Sequence, residues 1–265
     1  MGILNVTPDS FSDGGRFADI DDALRQAERM VLEGADILDI GGESTRPGAR
    51  AVSLDEEMDR VLPVLERIRG ALDIPVSVDT SKPELMREAI SAGAGMINDV
   101  AALSAPGAIA ALAGADLPVC LMHMRGEPRT MQTAPQYADV LVDIMGYLEG
   151  RVAECERGGI ERRRLVIDPG FGFGKTLQHN LVLLRDLEAF CRLGLPILVG
   201  LSRKSMLGTV TGRGVDQRLA ASVAAAVMAV ERGARIVRVH DVAETVDALK
   251  MWQAVKDADA PQTTG

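Results

Sequence analysis

A chain of 265 residues with 47% hydrophobic but only 3% aromatic residues can bury one large core, built mainly from aliphatic side chains. No apolar run is long enough to span a membrane, and no signal-peptide pattern is present. A net charge of −9 without a basic cluster argues against a nucleic-acid-binding protein, and three scattered cysteines, Cys120, Cys155 and Cys191, fit reduced thiols in the cytoplasm.

Eight short apolar segments, each followed by polar residues, predict eight parallel strands. Three segments follow a Gly-Ala pair, at 34–35, 93–94 and 233–234, where the glycine can end a helix in a left-handed conformation. Three others begin with an apolar residue and a proline, at Ile74-Pro75, Leu117-Pro118 and Leu195-Pro196. Segments 2–6 and 165–167 complete the set.

Helical spacing of apolar residues predicts helices between these strands, at 20–33, 54–69, 107–113, 140–157, 178–192, 216–231 and 242–256. Ser53, Ser81 and Asp241 each stand three residues before a glutamate, the pattern of a capping box. Strands alternating with helices predict an α/β fold, a single (β/α)8 TIM barrel over residues 1–257, with 258–265 as a disordered tail. A doubly wound open sheet is the alternative.

Polar residues follow every predicted strand, and the carboxyl ends of parallel strands meet at one face of a barrel. Asp79, Asn98, Asp168 and Lys204 combine donors and acceptors that suit a flat heterocycle, whereas Asn5, Arg238 and His240 suit a phosphorylated group. His123 either serves this site or caps a loop, and the run 168–174 could be a turn only. Asp39 is interpreted as a hydrogen-bonded residue of the barrel interior, and no metal-ligand spacing is present.

Six motifs carry a resemblance to a known family: MGILNVTPDSFSDGG (1–15), GGESTRPG (41–48), VDTSKP (78–83), DPGFGFGK (168–175), SRKS (202–205) and RVHD (238–241). In this order, over essentially the whole chain, they resemble the bacterial dihydropteroate synthases. The resemblance implies a homodimeric barrel enzyme of folate synthesis that is inhibited by sulfonamides. Members of the family usually have a segment before the first strand, whereas Met1 here already lies at that strand.

The resemblance also implies a reaction and the residues that carry it. The enzyme would join 6-hydroxymethyl-7,8-dihydropterin diphosphate to 4-aminobenzoate, giving 7,8-dihydropteroate and diphosphate. Asp79, Asp168, Lys204, Arg238 and His240 would be catalytic. The residues implied for the pterin are Asp79, Asn98, Met122, Asp168 and Lys204. Those implied for the diphosphate are Asn5, Arg238 and His240, and Asn5 would also bind Mg²⁺. Those implied for 4-aminobenzoate are Phe11, Thr45, Arg46, Pro47, Phe173 and Ser205, and Asp13 would belong to a lid loop.

Because an arylamine is a weak neutral nucleophile, cleavage of the pterin methylene carbon–oxygen bond is the harder task, and we expect a dissociative substitution. Two other functions remain open. A methyltransferase of the methyl-tetrahydrofolate type would share the barrel and the pterin-binding residues, but has little use for the Ser44–Gly48 loop or for Arg238 and His240. A pterin-binding paralogue without turnover is the non-enzyme alternative.

Overall fold

The computed structural model describes residues 1–7, 16–44, 50–126, 131 and 135–258, with only the backbone at 16–19. Eight strands form one sheet in which each strand pairs in parallel with the next along the chain. The strands are β1 Gly2–Asn5, β2 Leu38–Gly41, β3 Val76–Asp79, β4 Met96–Asp99, β5 Val119–Met122, β6 Leu165–Asp168, β7 Ile197–Val199 and β8 Ala234–Val237.

The sheet closes on itself. Gly2 forms a parallel bridge with Val239, just beyond β8. The Ile3 amide donates to the Val239 carbonyl at 2.9 Å, and the Val239 amide donates to the Met1 carbonyl at 2.9 Å. Since β1 bonds to both β2 and the end of β8, the (β/α)8 barrel is confirmed and the open-sheet alternative is wrong.

Helices cover the outside of the barrel. They are α1 Arg16–Leu32, α2 Leu54–Ala71, α3 Pro83–Ser91, α4 Ala108–Ala113, α5 Val140–Arg157, α6 Leu177–Arg185, α7 Ser205–Thr211, α8 Leu219–Glu231 and α9 Val242–Lys256. Short 3₁₀ helices span Arg162–Arg164, Leu187–Leu193 and Val215–Gln217. None of the helices in the described ranges is both long and apolar enough to cross a membrane.

Of the three residues predicted to form capping boxes, only Ser53 caps its helix, and it shows the serine half of the box. Ser53 does cap α2, since its hydroxyl accepts from the Glu56 amide at 3.2 Å. The Ser81 hydroxyl instead donates to the Asp99 carboxylate, and Asp241 forms a salt bridge with Arg203. Charged partners supplied by neighbouring strands give stronger hydrogen bonds than a helix amide does, so these side chains turn away from their own helices.

The predicted helix 178–192 ends early, at Arg185, and a 3₁₀ helix continues from Leu187. Its buried residues, Leu187, Phe190 and Leu193, recur every third position. A 3₁₀ helix has three residues per turn and therefore stacks all three directly above one another on the core side, whereas an α-helix would spread them over about 120°. The predicted helix 216–231 similarly starts as a 3₁₀ turn, and α8 begins at Leu219.

Side chains on the strands alternate between two cores. One core lies between the sheet and the helices and includes Leu38, Val76 and Val119. The other fills the barrel interior with Met1, Met96, Cys120, Val166 and Leu198. Because successive side chains point to opposite faces, the residues two positions after Met96, Cys120 and Val166 also point inward. Those residues are Asn98, Met122 and Asp168. The alternation of side chains along the strands therefore makes these three predicted site residues face the barrel mouth.

Candidate active site

The ends of β1 to β4 stand side by side at the mouth. Asn5 is paired in register with Gly41, Gly41 with Asp79, and Asp79 with Asn98. A Cβ atom on Gly41 would lie 3.7 Å from the Asp79 Cβ and 4.0 Å from the Asn5 Oδ1. The glycine therefore leaves open space between these two polar side chains, which the sequence had assigned to different ligands.

A half-buried guanidinium and two carboxylates form the centre of the mouth. The Arg238 Nε donates to Asp39 Oδ2 at 2.5 Å, and Arg238 Nη2 donates to Asp79 Oδ2 at 3.0 Å. Asp39 Oδ2 also accepts from the Asn98 amide nitrogen at 3.3 Å. Arg238, Asp79 and Asn98 thus belong to one network, and Asp39, which is fully buried, holds it together.

Asp39 is the functional residue of this network that sequence reasoning missed. Its interpretation as a hydrogen-bonded interior residue is confirmed, but its ion pair with Arg238 was not predicted. The sequence did contain a signal for this position. Side chains alternate between the two faces of a strand, so Asp39, two residues before Gly41, lies on the same inward face of β2.

Burial dominates the electrostatics of this network. It raises the pKa of Asp79 to about 7, although Arg238 pulls it down and Asp39 raises it further. Burial also lowers the pKa of Arg238, but the neighbouring carboxylates Asp39 and Asp79 outweigh that effect and raise it. Arg238 is therefore a fixed cation, whereas Asp79 can gain or lose a proton near neutral pH.

Asp168 lies at the end of β6 and is 5% exposed. Its Oδ1 accepts from the Gly170 amide at 2.7 Å. Burial raises the pKa of Asp168 to about 6, against the Gly170 hydrogen bond and the positive charges of Lys204 and Lys175. At neutral pH the group is mostly ionised and ready to accept N–H groups of a ligand.

Lys204 reaches the same side of the mouth from the β7 exit. Its Nζ lies 4.2 Å from the centre of the Phe173 ring, a cation–π contact. Phe173 in turn packs with Met122 and Met131 in a small apolar cluster. Ser205, the first residue of α7, is exposed. Lys204, Phe173 and Met122 are therefore brought together, as the predicted sites for the two substrates require.

His240 is held by the loop that carries Lys204. Its Nδ1 lies 3.0 Å from the Ser202 hydroxyl, and its amide donates to the same oxygen at 3.2 Å. Arg203, between Ser202 and Lys204, has a φ of 58° and pairs with Asp241. A positive φ is costly for a side chain of this size, and the ion pair to the β8 exit helps to maintain it.

The loop after β6, residues 169–176, packs tightly on the β5 exit. A Cβ on Gly170, whose φ is 73°, would stand 1.9 Å from the His123 carbonyl oxygen, and one on Gly174 would stand 2.2 Å from the Arg125 carbonyl oxygen. Only glycine permits this approach. The run is therefore a turn of fixed shape that brings Phe173 to the mouth.

Lys175, which the sequence did not single out, is 3% exposed and turns back into this loop. Its ammonium lies 3.0 Å from His123 Nδ1 and donates to the Phe173 carbonyl at 2.9 Å. Burial and the charge of Lys175 lower the pKa of His123 to about 3. The open question about His123 is thus answered in structural terms: it is a neutral, buried partner of Lys175.

Several predicted residues lie outside the described part of the chain. They are Phe11, Asp13, Thr45, Arg46 and Pro47. Of the predicted 4-aminobenzoate site, the structure describes Phe173 and Ser205. Of the predicted tail, it describes Ala258, whose amide donates to the Val255 carbonyl at 3.3 Å.

A metal ion at the barrel mouth would have to be bound through oxygen atoms. Within the described ranges, no three His, Cys, Asp or Glu side chains converge as metal ligands. Asn5 is half-buried at the end of β1, with its carboxamide beside the space above Gly41. Mg²⁺ is commonly bound through one or two protein oxygens together with substrate phosphates and water. Asn5 fits that pattern for an ion that arrives with a diphosphate.

The sequence and the structure were compared with known proteins. Residues 1–240 match the family described as "Pterin binding enzyme". A dihydropteroate synthase of Haemophilus influenzae is 54% identical over 97% of this chain and 94% of its own length. Among solved structures, the Xanthomonas albilineans dihydropteroate synthase with 4-aminobenzoic acid is 55% identical with a TM-score of 0.92, covering 97% of this chain and 92% of that one. The Yersinia pestis dihydropteroate synthase in complex with a sulfonamide drug is 51% identical with a TM-score of 0.93, over 97% and 94%.

Proposed function

The chain belongs to the pterin binding enzyme family, and we propose that within it the chain carries out the dihydropteroate synthase reaction. It is a transferase of folate synthesis that joins 6-hydroxymethyl-7,8-dihydropterin diphosphate to 4-aminobenzoate and releases diphosphate. The observation that carries the proposal is the cation Arg238, held between Asp39 and Asp79 in the same mouth as Asp168 and Lys204.

Binding of the pterin requires acceptors and donors in one plane. Asp79 and Asn98 are paired at the ends of the adjacent strands β3 and β4, Asp168 lies at the end of β6, and Lys204 adds a cation from the β7 exit. Ionised Asp79 and Asp168 accept N–H groups of the ring, while Asn98 can donate and accept. A ligand that becomes positively charged lowers the pKa of both carboxyl groups further and so keeps them ionised.

Departure of diphosphate is helped by the cationic side of the mouth. A guanidinium has five N–H groups, more than the two bonds from Arg238 to Asp39 and Asp79 use. Arg238 and His240 stabilise the negative charge that grows on the leaving oxygen. Mg²⁺, held by Asn5 and the diphosphate, would supply Lewis-acid neutralisation of that charge. Preorganised groups of this kind are worth about 3–4 kcal/mol each.

Formation of the new bond follows cleavage of the old one. As the carbon–oxygen bond breaks, the pterin methylene becomes electron-poor, and the anionic Asp79 and Asp168 stabilise that positive charge. The neutral amino group of 4-aminobenzoate then attacks the methylene carbon and afterwards gives its extra proton to water. A strong general base would gain little, because the nitrogen attacks before it needs to lose that proton.

The deciding experiment measures diphosphate release from the pterin diphosphate with Mg²⁺, with and without 4-aminobenzoate. The proposal predicts strong stimulation by 4-aminobenzoate and an equal amount of 7,8-dihydropteroate. Slow release that ignores the arylamine would mean that the second substrate site does not work. Tight pterin binding without release would favour a paralogue that lacks turnover, and methyl transfer from a methylated tetrahydrofolate would favour the methyltransferase alternative.

The 4-aminobenzoate site is proposed to be formed by Phe173 and Ser205 with Phe11, Thr45, Arg46 and Pro47, under a lid that includes Asp13. The cation–π contact of Phe173 supports this, because it places an aromatic face beside the pterin-binding Lys204. The Yersinia pestis relative was solved with a sulfonamide drug. We therefore expect a sulfonamide to inhibit this enzyme in competition with 4-aminobenzoate.

A homodimer is proposed from the surface of α8. Its outward positions Ala220, Ala224 and Met228 are exposed and apolar, and Glu231 at its end is its one charged residue. On the neighbouring helix α9, Met251 and Val255 are exposed by 65% and 63%. A helix that is apolar on all sides is normally covered, and a second copy of the chain is the partner that fits.

A cytoplasmic location is proposed from the cysteines. Cys120, Cys155 and Cys191 all carry free thiols, and the first two are buried. Reduced cysteines are typical of the cytoplasm, where disulfides rarely persist.

A further inference from the structure

Lys175 occupies an environment that is costly for a cation. Burial lowers its pKa to about 7, with Asp168 opposing and Lys204 reinforcing that shift. The three hydrogen-bond acceptors around its ammonium are uncharged: His123 Nδ1 at 3.0 Å, the His123 carbonyl at 3.3 Å and the Phe173 carbonyl at 2.9 Å. Neutral acceptors offset only part of the cost of burying a charge, so the presence of a lysine here is best explained by the groups that it binds.

The ammonium joins two different strand exits. When Lys175 is protonated, its ammonium has three N–H groups and no acceptor, so His123 Nδ1 then accepts and the ring proton of His123 lies on Nε2. The His123 ring is fixed from behind by an edge-on contact with Tyr147, whose ring centre is 5.0 Å away. The His123 amide donates to the Asp168 carbonyl at 2.9 Å. Through these contacts Lys175 connects the rigid end of β5 to the loop after β6.

The loop is supported at the neighbouring residues as well, but by different groups. The Tyr137 hydroxyl donates to the Gly174 carbonyl at 2.8 Å, and the Asn180 side chain accepts from the Gly172 amide at 2.8 Å. The Phe173 carbonyl, between these two supports, is bound by Lys175. The orientation of the Phe173 peptide, and with it the direction of the ring, therefore depends on that ammonium.

We propose that Lys175 is a positioning residue that fixes Phe173, and through the ring of Phe173 fixes the ammonium of Lys204. The inference rests on the proposed function, since Phe173 is assigned to the 4-aminobenzoate site and Lys204 to the pterin site. Lys175 itself contacts neither substrate; it acts through the Phe173 carbonyl. Loss of Lys175 leaves the Phe173 ring free to turn, which weakens the 4-aminobenzoate site more than it slows the chemical step.

The kinetic test is a double-mutant cycle. Lys175→Met should raise the KM for 4-aminobenzoate about tenfold and change kcat less than threefold. In a Phe173→Leu background the same substitution should change KM less than twofold, because the residue that it positions is gone. An equal effect in both backgrounds, or an unchanged KM in folded Lys175→Met, would overturn the inference. Should Lys175→Met fail to fold, Lys175→Gln takes its place with the same two outcomes.

Arg164 provides a matched control at the opposite end of β6. It is 5% exposed, and its guanidinium donates to the carbonyls of Leu117 and Leu112 at 2.9 and 3.0 Å. Arg164→Met also removes a buried cation that binds backbone carbonyls, so it should lower the melting temperature while the KM for 4-aminobenzoate stays within twofold. A change in KM as large as that of Lys175→Met would mean that general loosening of the barrel explains both.

A second measurement does not depend on turnover. The rate of Lys204 acetylation by acetic anhydride, followed by mass spectrometry of the Lys204 peptide, should rise about threefold in Lys175→Met, because the ammonium loses its stabilising ring. Lys82, which pairs with Glu43 and Glu57, should react at an unchanged rate in the same samples. If the wild-type protein forms no dihydropteroate, the proposed function is wrong. If the rate of Lys204 acetylation is unchanged in Lys175→Met, this inference is wrong, whether or not the protein turns over its substrates.

Discussion

At the scale of single residues, the site is arranged for function at the expense of stability. Asp79 has a pKa of about 7 against an ordinary value of 3.8, because burial outweighs its ion pair with Arg238. A carboxyl group with a raised pKa favours the folded state most below pH 4. That contribution is lost as pH rises through 7, because the folded protein then holds the charge in a place where water would solvate it better.

Asp79→Asn tests this balance. The amide has the same shape and cannot ionise, so the variant should gain about 1–3 kcal/mol of unfolding free energy relative to wild type at pH 8. The gain should vanish at pH 4, where wild-type Asp79 is protonated. Urea titrations at both pH values measure the difference, and turnover should fall at least a hundredfold. A variant that is less stable than wild type at pH 8 would contradict the argument.

Arg238→Ala removes the positive charge of the same network, whereas Asp79→Asn removes a negative one. Turnover should drop at least a hundredfold, since one deleted electrostatic group costs about 3–4 kcal/mol of transition-state stabilisation. The variant also leaves Asp39 and Asp79 without their cation, and we expect it to be less stable than wild type at pH 8, with recovery towards pH 5 as Asp79 takes up a proton. Near-normal turnover in the diphosphate-release assay would refute the role of Arg238.

At the scale of elements, the loop after β6 determines where Phe173 stands. Gly170→Ala would place a methyl group 1.9 Å from the His123 carbonyl oxygen at a φ of 73°. We expect a loss of about 3 kcal/mol of stability and weaker 4-aminobenzoate binding, because the loop must lift from the β5 exit.

Gly194 is the matched control, with a φ of 65° and nothing within 4 Å of its added methyl group. Gly194→Ala should cost about 1 kcal/mol, from backbone strain alone, with an unchanged KM. Thermal unfolding and KM measured on both variants separate the clash from the strain. Equal losses in the two variants would show that close packing on His123 does not matter.

Elements were predictable from the sequence where local chemistry decides them. The prolines before β3, β5 and β7 are an example: Pro75, Pro118 and Pro196 lie one residue before each strand, and their carbonyls accept from the neighbouring strand at 3.0–3.1 Å. Proline keeps its carbonyl while it lacks the N–H, so it suits that position. Position at the carboxyl end of a predicted strand also identified Asn98 and Asp168.

Elements were not predictable where distant residues compete with local ones. Ser81 turns to Asp99 and Asp241 to Arg203, partners 18 and 38 residues away, so the local capping pattern failed. Lys175 contacts His123, which lies 52 residues away in sequence, and no local sequence pattern predicts such a contact. In contrast, the 3₁₀ segment at Leu187–Leu193 had a readable signal, an apolar residue every third position, which the helical interpretation overlooked.

At the scale of the whole molecule, the apolar face of α8 predicts a dimer of twice 28.2 kDa. Met228→Glu places a charge on that face, where Met228 is 46% exposed in the single chain, and should give a monomer by light scattering. Val142, exposed by 65% on α5, is the control, since Val142→Glu should leave the dimer intact. A dimer in both variants would exclude α8 from the interface.

The network around Arg238 also dictates when the site comes into existence during synthesis of the chain. Asp39 and Arg238 are 199 residues apart in sequence, and Asp79 and Arg238 are 159 apart. A nascent chain that has emerged only through β7 therefore carries two acidic groups destined for the interior without the cation that neutralises them. Docking of β8 and the residues after it on β1 closes the sheet and brings Arg238 to Asp39 and Asp79, so a chain that has emerged only through β7 lacks the cation on which the proposed diphosphate site depends.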